Sequence, residues 1–183
     1  MMNPDVTQLL KDWRAGRSDA SSELWPLLHG ELKQLANAYM RNQGGGHTLQ
    51  ATALVNEAFL KLVDVDFRGE SRKEFLSLAA SAMRSILVDH ARKNARAKRG
   101  GDAVQVTLEF VGSDEPAPHD ILQVDDLLTR LSDVDQRMAK IVELKVFGGL
   151  TYDEIAALIG VSSATVRADM RFGKAWLKRE MTA

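Results

Sequence analysis

The sequence contains no cysteine, and this absence excludes several kinds of chemistry at once. Without a thiol the chain can form no disulfide, offer no thiolate to a metal ion and supply no cysteine nucleophile. A run of about 18 apolar residues, as a membrane span requires, is also missing. The first residues, MMNPDVTQLLKDWRAG, show no basic segment followed by an apolar one. We therefore expect a cytoplasmic protein without a membrane partner.

An excess of charge of one sign is likewise missing, since 24 Lys and Arg residues stand against 25 Asp and Glu residues in a chain of 183. A charged partner must therefore be inferred from how charge is distributed along the chain. The histidines, His29, His47, His90 and His119, lie in separate segments without the spacing of a metal site. Phosphate-binding loops and nucleophile motifs do not occur either. We expect no metal, no cofactor and no enzymatic activity.

Apolar residues at three- and four-residue spacing predict helices over most of the chain. Two helices are predicted between residues 5 and 40, with a break at residues 16–18 and with Pro26 in or near the first turn of the second. Further helices are predicted over residues 51–63 and about 73–97. Only AVQVTLEFV, residues 103–111, alternates as a strand would. The predicted fold class is therefore all-α.

Residues 102–126 differ from the rest of the chain in composition. They contain no Lys or Arg and include the turn-rich run GSDEPAP. Their acidic residues are Asp102, Glu109, Asp114, Glu115, Asp120, Asp125 and Asp126. Because this composition is typical of a linker, we predict two small helical domains, residues 1–101 and 127–183, joined by an acidic linker at 102–126. We also predict that the linker carboxylates fold back on basic surfaces of the free protein.

The most specific pattern lies at residues 150–180, LTYDEIAALIGVSSATVRADMRFGKAWLKRE. Thr151 and Glu154 have the spacing of a capping box, Gly160 can end the first helix, and Ser162 can cap a second one. Helix, tight turn and basic helix are typical of a DNA-binding helix-turn-helix, and the alternative is a helical hairpin whose basic face is merely solvated. The residues predicted to face DNA, here called the reading face, are Ser162, Ser163, Thr165, Arg167, Ala168, Arg171 and Lys174.

A second basic segment ends the predicted helix over residues 73–97 and continues beyond it. Its basic residues are Arg84, Arg92, Lys93, Arg96, Lys98 and Arg99. Such a run suits contacts with phosphates. Taken alone, a charge run is usually only a solvated face, but beside a second DNA-reading segment we predict that these residues bind DNA.

The helix predicted within HTLQATALVNEAFLKLV, residues 47–63, is strongly amphipathic. Its broad apolar arc, predicted to face the core, consists of Leu54, Val55, Ala58, Phe59, Leu62 and Val63. The opposite arc, here called the docking face, includes Ala53, Asn56, Glu57, Leu60 and Lys61. An apolar Leu60 in the middle of this polar arc indicates contact with a partner.

LVNEAFLKL, FRGES at residues 67–71, VDHARK, the acidic stretch and TYDEIAALIGVSSATVR together resemble the extracytoplasmic-function (ECF) sigma factors of bacterial RNA polymerase. The resemblance runs from about residue 5 to residue 180. It implies that residues 1–101 bind core RNA polymerase, with the docking face on the β′ clamp helices, and melt the minus-ten element. It further implies that residues 127–183 recognise the minus-thirty-five element as duplex. The β subunit and an anti-sigma factor are additional partners that the resemblance suggests.

The resemblance also suggests where melted DNA is held. The FRGES loop and the adjoining basic helix would contact the single strand, and base capture commonly uses aromatic platforms. Phe67 and Phe75 are the aromatic residues there. The sequence does not assign the capturing residues.

One departure from the family pattern lies just before the docking helix. Most ECF sigma factors carry an acidic cluster there, whereas this chain has the neutral run QATA, residues 50–53. In this it resembles the subgroup that lacks the cluster and is linked to Ser/Thr kinases. A phosphate on Thr52 would add a charge of about −1.5 to −2 to the first turn of the helix. We predict phosphorylation of Thr52, with the more distant Thr48 as second choice. The alternative is that either threonine is only a helix cap.

Two other functions compete with that of a sigma factor. A stand-alone helix-turn-helix transcription regulator would bind a palindromic duplex tightly as the free protein. A helical signalling adaptor would use its basic faces on acidic proteins and show no dependence on DNA. The sigma factor interpretation predicts weak promoter binding without polymerase, and two unlike basic segments on either side of a linker favour it.

Overall fold

Eight helices make up most of what the structure, a computed structural model, describes, namely residues 5–41, 51–64, 71–97, 105–108 and 117–182. The helices are α1 (Val6–Arg14), α2 (Ser18–Arg41), α3 (Ala51–Asp64), α4 (Arg72–Ala97), α5 (Ile121–Val134), α6 (Gln136–Val146), α7 (Tyr152–Ile159) and α8 (Ser163–Thr182). Two short strands, β1 (Gln105–Leu108) and β2 (Ala117–Asp120), pair antiparallel. The fold is all-α, as predicted. Within these ranges no helix is both long enough and apolar enough to cross a membrane.

The first three helices pack their apolar faces together. α1 begins after Asp5, whose carboxylate accepts a hydrogen bond of 2.9 Å from the backbone N–H of Thr7 and so caps the helix. Aromatic rings join the three helices edge to face, with 5.4 Å between the centroids of Trp13 and Trp25 and 5.5 Å between those of Trp25 and Phe59. These contacts hold α3 against α2 and leave its other side outward.

α2 begins earlier than the sequence predicts. It starts at Ser18, so that Pro26 lies in the interior of the helix, and the prediction that Pro26 lies in or near its first turn is wrong. Ala20 and Leu24 are completely buried. Burial of the turns before Pro26 therefore extends the helix, although proline removes one backbone hydrogen bond.

A bidentate ion pair links the start of α4 to α2. The Nε of Arg72 donates to one carboxylate oxygen of Glu31 at 3.0 Å, and a terminal guanidinium nitrogen donates to the other at 2.8 Å. The hydrogen bonds that Arg72 donates to Glu31 raise the pKa of Arg72 above its ordinary value. Bidentate geometry of this kind fixes orientation as well as distance, so α4 starts at a defined angle to α2.

The segment predicted to be a linker contains regular structure where it is described. β1 lies within the alternating run AVQVTLEFV and pairs with β2 so that Gln105 is opposite Asp120. Val106 and Leu108 are buried on one face, as alternation requires. α5 begins at Ile121, inside the range assigned to the linker. The division of the chain into domains at residues 1–101, 102–126 and 127–183 remains a prediction.

α4 connects the N-terminal helices with the C-terminal ones. It packs against α1, α2 and α3 and also against α5, α6 and α7. Phe75, Met83 and Leu87 of α4 are almost completely buried. The buried apolar residues therefore form one continuous core, and in this arrangement the C-terminal helices are docked on α4.

The start of α7 and the turn into α8 show the predicted caps. The backbone N–H of Thr151 donates to the Glu154 carboxylate at 2.8 Å, and the Glu154 N–H donates to the Thr151 hydroxyl at 3.2 Å. Gly160 ends α7 in the left-handed conformation, with φ of 76°. The Ser162 hydroxyl accepts the N–H of Thr165 at 3.1 Å and caps α8. These local predictions are confirmed, and they define how α8 leaves the turn.

Candidate functional site

The two arcs predicted for α3 separate cleanly in the structure. Leu54, Val55, Ala58 and Leu62 are buried, and Phe59 packs half-buried against the core. Of the docking face, Asn56, Glu57, Leu60 and Lys61 are exposed and Ala53 is half-buried. The side chain of Val63 lies outside the described residues. An outward face with several exposed residues along one helix is a surface that a partner can contact.

Leu60 is the most exposed large apolar residue of the docking face, with 60 % of its surface accessible. Its neighbour Lys61 is directed toward α4, where its ammonium group donates to the hydroxyl of Ser85 at 2.8 Å and lies 3.6 Å from the carboxylate of Asp89. Lys61 therefore links α3 to α4 while remaining exposed. The docking face thus combines a rigid helix with an apolar residue at its centre.

Thr52 is exposed in the first turn of α3. That turn carries no acidic residue, so the positive end of the helix macrodipole has no carboxylate of its own helix beside it. Thr48 lies outside the described residues. Thr52 is therefore an exposed residue at the N-terminus of α3.

Arg84 does not face solvent as the sequence predicts for a DNA-binding residue. Its side chain is 19 % exposed. Its Nε donates to the Asp125 carboxylate at 2.7 Å, and a terminal nitrogen donates to the Asp125 carbonyl oxygen at 2.9 Å. Another nitrogen lies 3.4 Å from the Glu143 carboxylate. The guanidinium group of Arg84, which was predicted to bind phosphate, is paired with carboxylates of α5 and α6.

The remaining basic residues of α4 that the structure describes are accessible. Arg92, Lys93 and Arg96 are exposed. Arg92 approaches the same Asp125 carboxylate at 3.6 Å. Lys98 and Arg99 lie outside the described residues. Asp125, predicted to be a linker residue that folds back on a basic surface, thus pairs with Arg84 and Arg92.

A polar cluster continues from Arg84 into the contact between α4 and α6. The ammonium group of Lys140 lies 2.8 Å from the carboxylate of Glu143 and donates to the hydroxyl of Ser81 at 3.0 Å. A cleft of about 300 Å³ opens beside the cluster. Its lining consists of Ser81, Arg84, Ser85, Val88, Asp89, Arg92, Asp125 and Glu143. Three carboxylates and two guanidinium groups line the cleft, so its lining has no excess of positive charge to attract an anion.

The reading face is arranged along the first turns of α8. Ser162, Arg167 and Arg171 are exposed, whereas Ser163, Thr165, Ala168 and Lys174 are half-buried. The acidic residue among them, Asp169, is buried and accepts a hydrogen bond of 2.8 Å from the Nε of Arg137. The negative charge in the first turns of α8 is thereby paired on the inner side of the helix, and Glu180, near its end, pairs with Arg130 and Arg179. The outer side of α8 is more basic than the sequence count suggests.

Phe75 is not placed to capture a melted base. Its side chain is only 2 % exposed and belongs to the core, since position 75 falls on the inner face of α4. Phe67 and most of FRGES lie outside the described residues. The residues that would hold a melted base therefore stay unassigned.

Sequence reasoning missed two residues that organise these surfaces. Asp125 was treated as one carboxylate among several, although it pairs with Arg84 and Arg92. Tyr152 was not singled out, although the guanidinium carbon of Arg167 lies 4.9 Å from the centroid of its ring. The spacing of Tyr152 and Arg167 across a predicted tight turn could have suggested the second contact. The first joins segments too distant in sequence for periodicity to reveal.

A family model described as ECF sigma factor matches residues 3–183 of the chain. The matched region therefore includes the docking face, the basic part of α4 and the reading face. A search of curated proteins gives no match.

Proposed function

Because this chain belongs to the ECF sigma factor family, we propose that its docking face binds the β′ clamp helices of core RNA polymerase and that its reading face recognises the minus-thirty-five element. Membership in the family makes the protein a sigma factor, which binds core RNA polymerase and promoter DNA and directs transcription initiation. The proposal assigns these two tasks to α3 and α8. The observation that carries it is the family match over both helices.

The docking assignment is supported by the way α3 is held. Its inner arc is buried, and its outer arc presents Leu60 with polar neighbours. Interfaces commonly combine an apolar centre with a polar rim, and few residues supply most of the affinity. Leu60 is therefore the residue of the docking face that we expect to contribute most to binding polymerase.

The assignment of α8 to DNA is supported by charge and by the helix start. Arg167 and Arg171 are exposed on its outer side, while Asp169 is paired with Arg137 on the inner side. An arginine can donate two hydrogen bonds to guanine in the major groove, and serine hydroxyls commonly contact phosphate. Entry of α8 by its N-terminal end would bring Ser162 and Ser163 to the DNA backbone and Arg167 to the bases.

Activation by phosphorylation of Thr52 is the regulatory part of the proposal. Thr52 is exposed and the first turn of α3 has no acidic residue. A phosphate there would supply negative charge beside the docking face, and the macrodipole of α3 would favour it. The partner required is a Ser/Thr kinase. An anti-sigma factor is a second regulatory partner that membership in the family suggests.

Single-round transcription with core polymerase on a panel of candidate promoters tests both parts. The unmodified chain is compared with the chain phosphorylated at Thr52 and with the double variant Thr52→Glu, Ala53→Glu. The double variant Thr52→Gln, Ala53→Gln is the control, because it has similar shape without charge. We expect promoter-specific transcripts from the two acidic forms and few from the neutral ones.

The possible results of this experiment distinguish the sigma factor assignments from the proposed activation by phosphorylation. Equal transcription from charged and neutral forms would contradict the phosphate switch and leave the docking assignment standing. Efficient docking on core by all forms without promoter-specific transcripts would contradict the assignment of α8 to the upstream element. Tight binding of the free chain to a palindromic duplex would favour the stand-alone regulator instead.

The contact of Asp125 with Arg84 and Arg92 supports one further feature of the proposal. In the free protein these arginines are engaged by the carboxylate. Promoter DNA and the α5 carboxylate would then compete for the same guanidinium groups. We propose that polymerase, by separating the helices that flank this contact, frees the basic residues of α4 for DNA.

A further inference from the structure

Two neighbouring residues at the start of α7 hold two residues of the reading face. The ring of Tyr152 has the guanidinium carbon of Arg167 at 4.9 Å from its centroid. The carboxylate of Asp153 accepts a hydrogen bond from the hydroxyl of Ser163. Ser163 and Arg167 are one helical turn apart in α8. The adjacent residues Tyr152 and Asp153 of α7 therefore contact both of them.

The ring of Tyr152 is itself fixed. It is half-buried and packs against the core. The ammonium group of Lys145 lies 4.9 Å from its centroid and also donates to the carbonyl oxygen of Leu150 at 3.1 Å. The capping box of Thr151 fixes the backbone immediately before it. Arg167 therefore packs on a ring whose position is fixed by contacts within the protein.

Such a support matters because arginine is long and flexible. A free guanidinium group samples many rotamers, and some of that freedom is lost when it forms two parallel hydrogen bonds with a base. Contact with an aromatic face restricts the group in advance. Preorganisation of this kind lowers the cost of binding and favours one geometry over others.

We propose that Tyr152 and Asp153 are positioning residues that determine which base pair the reading face prefers, although neither needs to touch a base. The inference rests on the proposed recognition of DNA by α8. Tyr152 orients the guanidinium group of Arg167, and Asp153 fixes the position of Ser163 at the start of the helix. Loss of either contact should change base preference more than it changes the stability of the fold.

The experiment measures open-complex formation by holoenzyme on a promoter library in which the upstream element is randomised, under conditions where the parent chain is active. The variants are Arg167→Ala, Tyr152→Phe, Tyr152→Leu and the double variant Tyr152→Leu, Arg167→Ala. We expect Arg167→Ala to remove the preference at one base pair. Tyr152→Leu should reduce the same preference about three- to tenfold, whereas Tyr152→Phe, which keeps the ring, should retain it.

The double variant distinguishes positioning from a general packing effect. If Tyr152 acts through Arg167, replacing Tyr152 by Leu changes nothing further at that base pair once Arg167 is Ala. An equal loss in both backgrounds would overturn the proposal. A neutral Tyr152→Leu beside a defective Arg167→Ala would overturn positioning alone, whereas a neutral Arg167→Ala would overturn base recognition by Arg167 as well.

Asp153 provides a second test that does not depend on the folding of Tyr152→Leu, because Asp153 is exposed. Asp153→Asn and Asp153→Ala both remove the negative charge, but only Asn keeps an oxygen that can accept the Ser163 hydroxyl. We expect a changed base preference with Ala and the parental preference with Asn. Identical preferences for the two variants would show that Asp153 does not position Ser163.

Discussion

The geometry of the α7–α8 turn depends directly on Gly160, a residue without a side chain. Its φ of 76° lies in the left-handed region, which glycine adopts without the steric cost that other residues meet. A Cβ atom built there would meet nothing within 4 Å. The requirement for glycine is therefore one of backbone conformation and not of space.

Gly160→Ala is expected to lower the free energy of unfolding by about 1 kcal/mol. The Cβ atom of alanine makes the left-handed backbone conformation sterically unfavourable, whereas glycine adopts it freely. Gly160→Asn should lose less, since asparagine tolerates this conformation better than alanine. Denaturant unfolding of the full chain measures both. Equal stability of the alanine variant and the parent would show that the turn relaxes into another conformation.

At the scale of helices, the sequence predicted the features that depend on neighbouring residues, namely helix faces and helix caps. The arcs of α3 follow from the spacing of Leu54, Ala58 and Leu62, and the start of α7 follows from its capping box. The start of α2 did not follow, because burial of Leu24 outweighs the usual position of proline. The ion pairs of Arg84 could not be predicted from the sequence either, since its partners come from α5 and α6. Contacts between segments far apart in sequence leave no periodicity to recognise.

The docking face allows a prediction about a single helix. Leu60→Ser should weaken binding of core polymerase at least about fivefold while leaving stability within about 0.5 kcal/mol, because Leu60 is exposed and packs against no core. Titration of core polymerase with the fluorescently labelled acidic form of the chain measures the affinity. Leu78→Ser on α4 is the matched control, since Leu78 is also an exposed leucine, with 42 % of its surface accessible. Equal effects of the two substitutions would contradict docking through α3.

At the scale of the whole molecule, carboxylates of α5 and α6 pair with basic residues of α4 that we propose to bind DNA. Arg84 donates to Asp125 and Glu143, and Lys73 of α4 donates to the carbonyl oxygen of Ala157 in α7 at 2.6 Å. The C-terminal helices thus contact α4 through polar groups as well as through the core.

Asp125→Asn should therefore raise the affinity of the free chain for promoter DNA about two- to fivefold, since a partly exposed ion pair contributes about 0.5–1 kcal/mol. Asp126→Asn is the control, because it removes the same charge from the exposed neighbouring position. Fluorescence anisotropy with a labelled duplex, repeated over a range of salt concentrations, measures the affinity and the number of phosphate contacts. We expect a steeper salt dependence for Asp125→Asn alone, because loss of the Asp125 charge frees the exposed Arg92 for contact with DNA, whereas Arg84 still donates to Glu143. If both variants gain affinity equally, the effect is one of net charge, and the Asp125 contact does not restrain the basic face of α4.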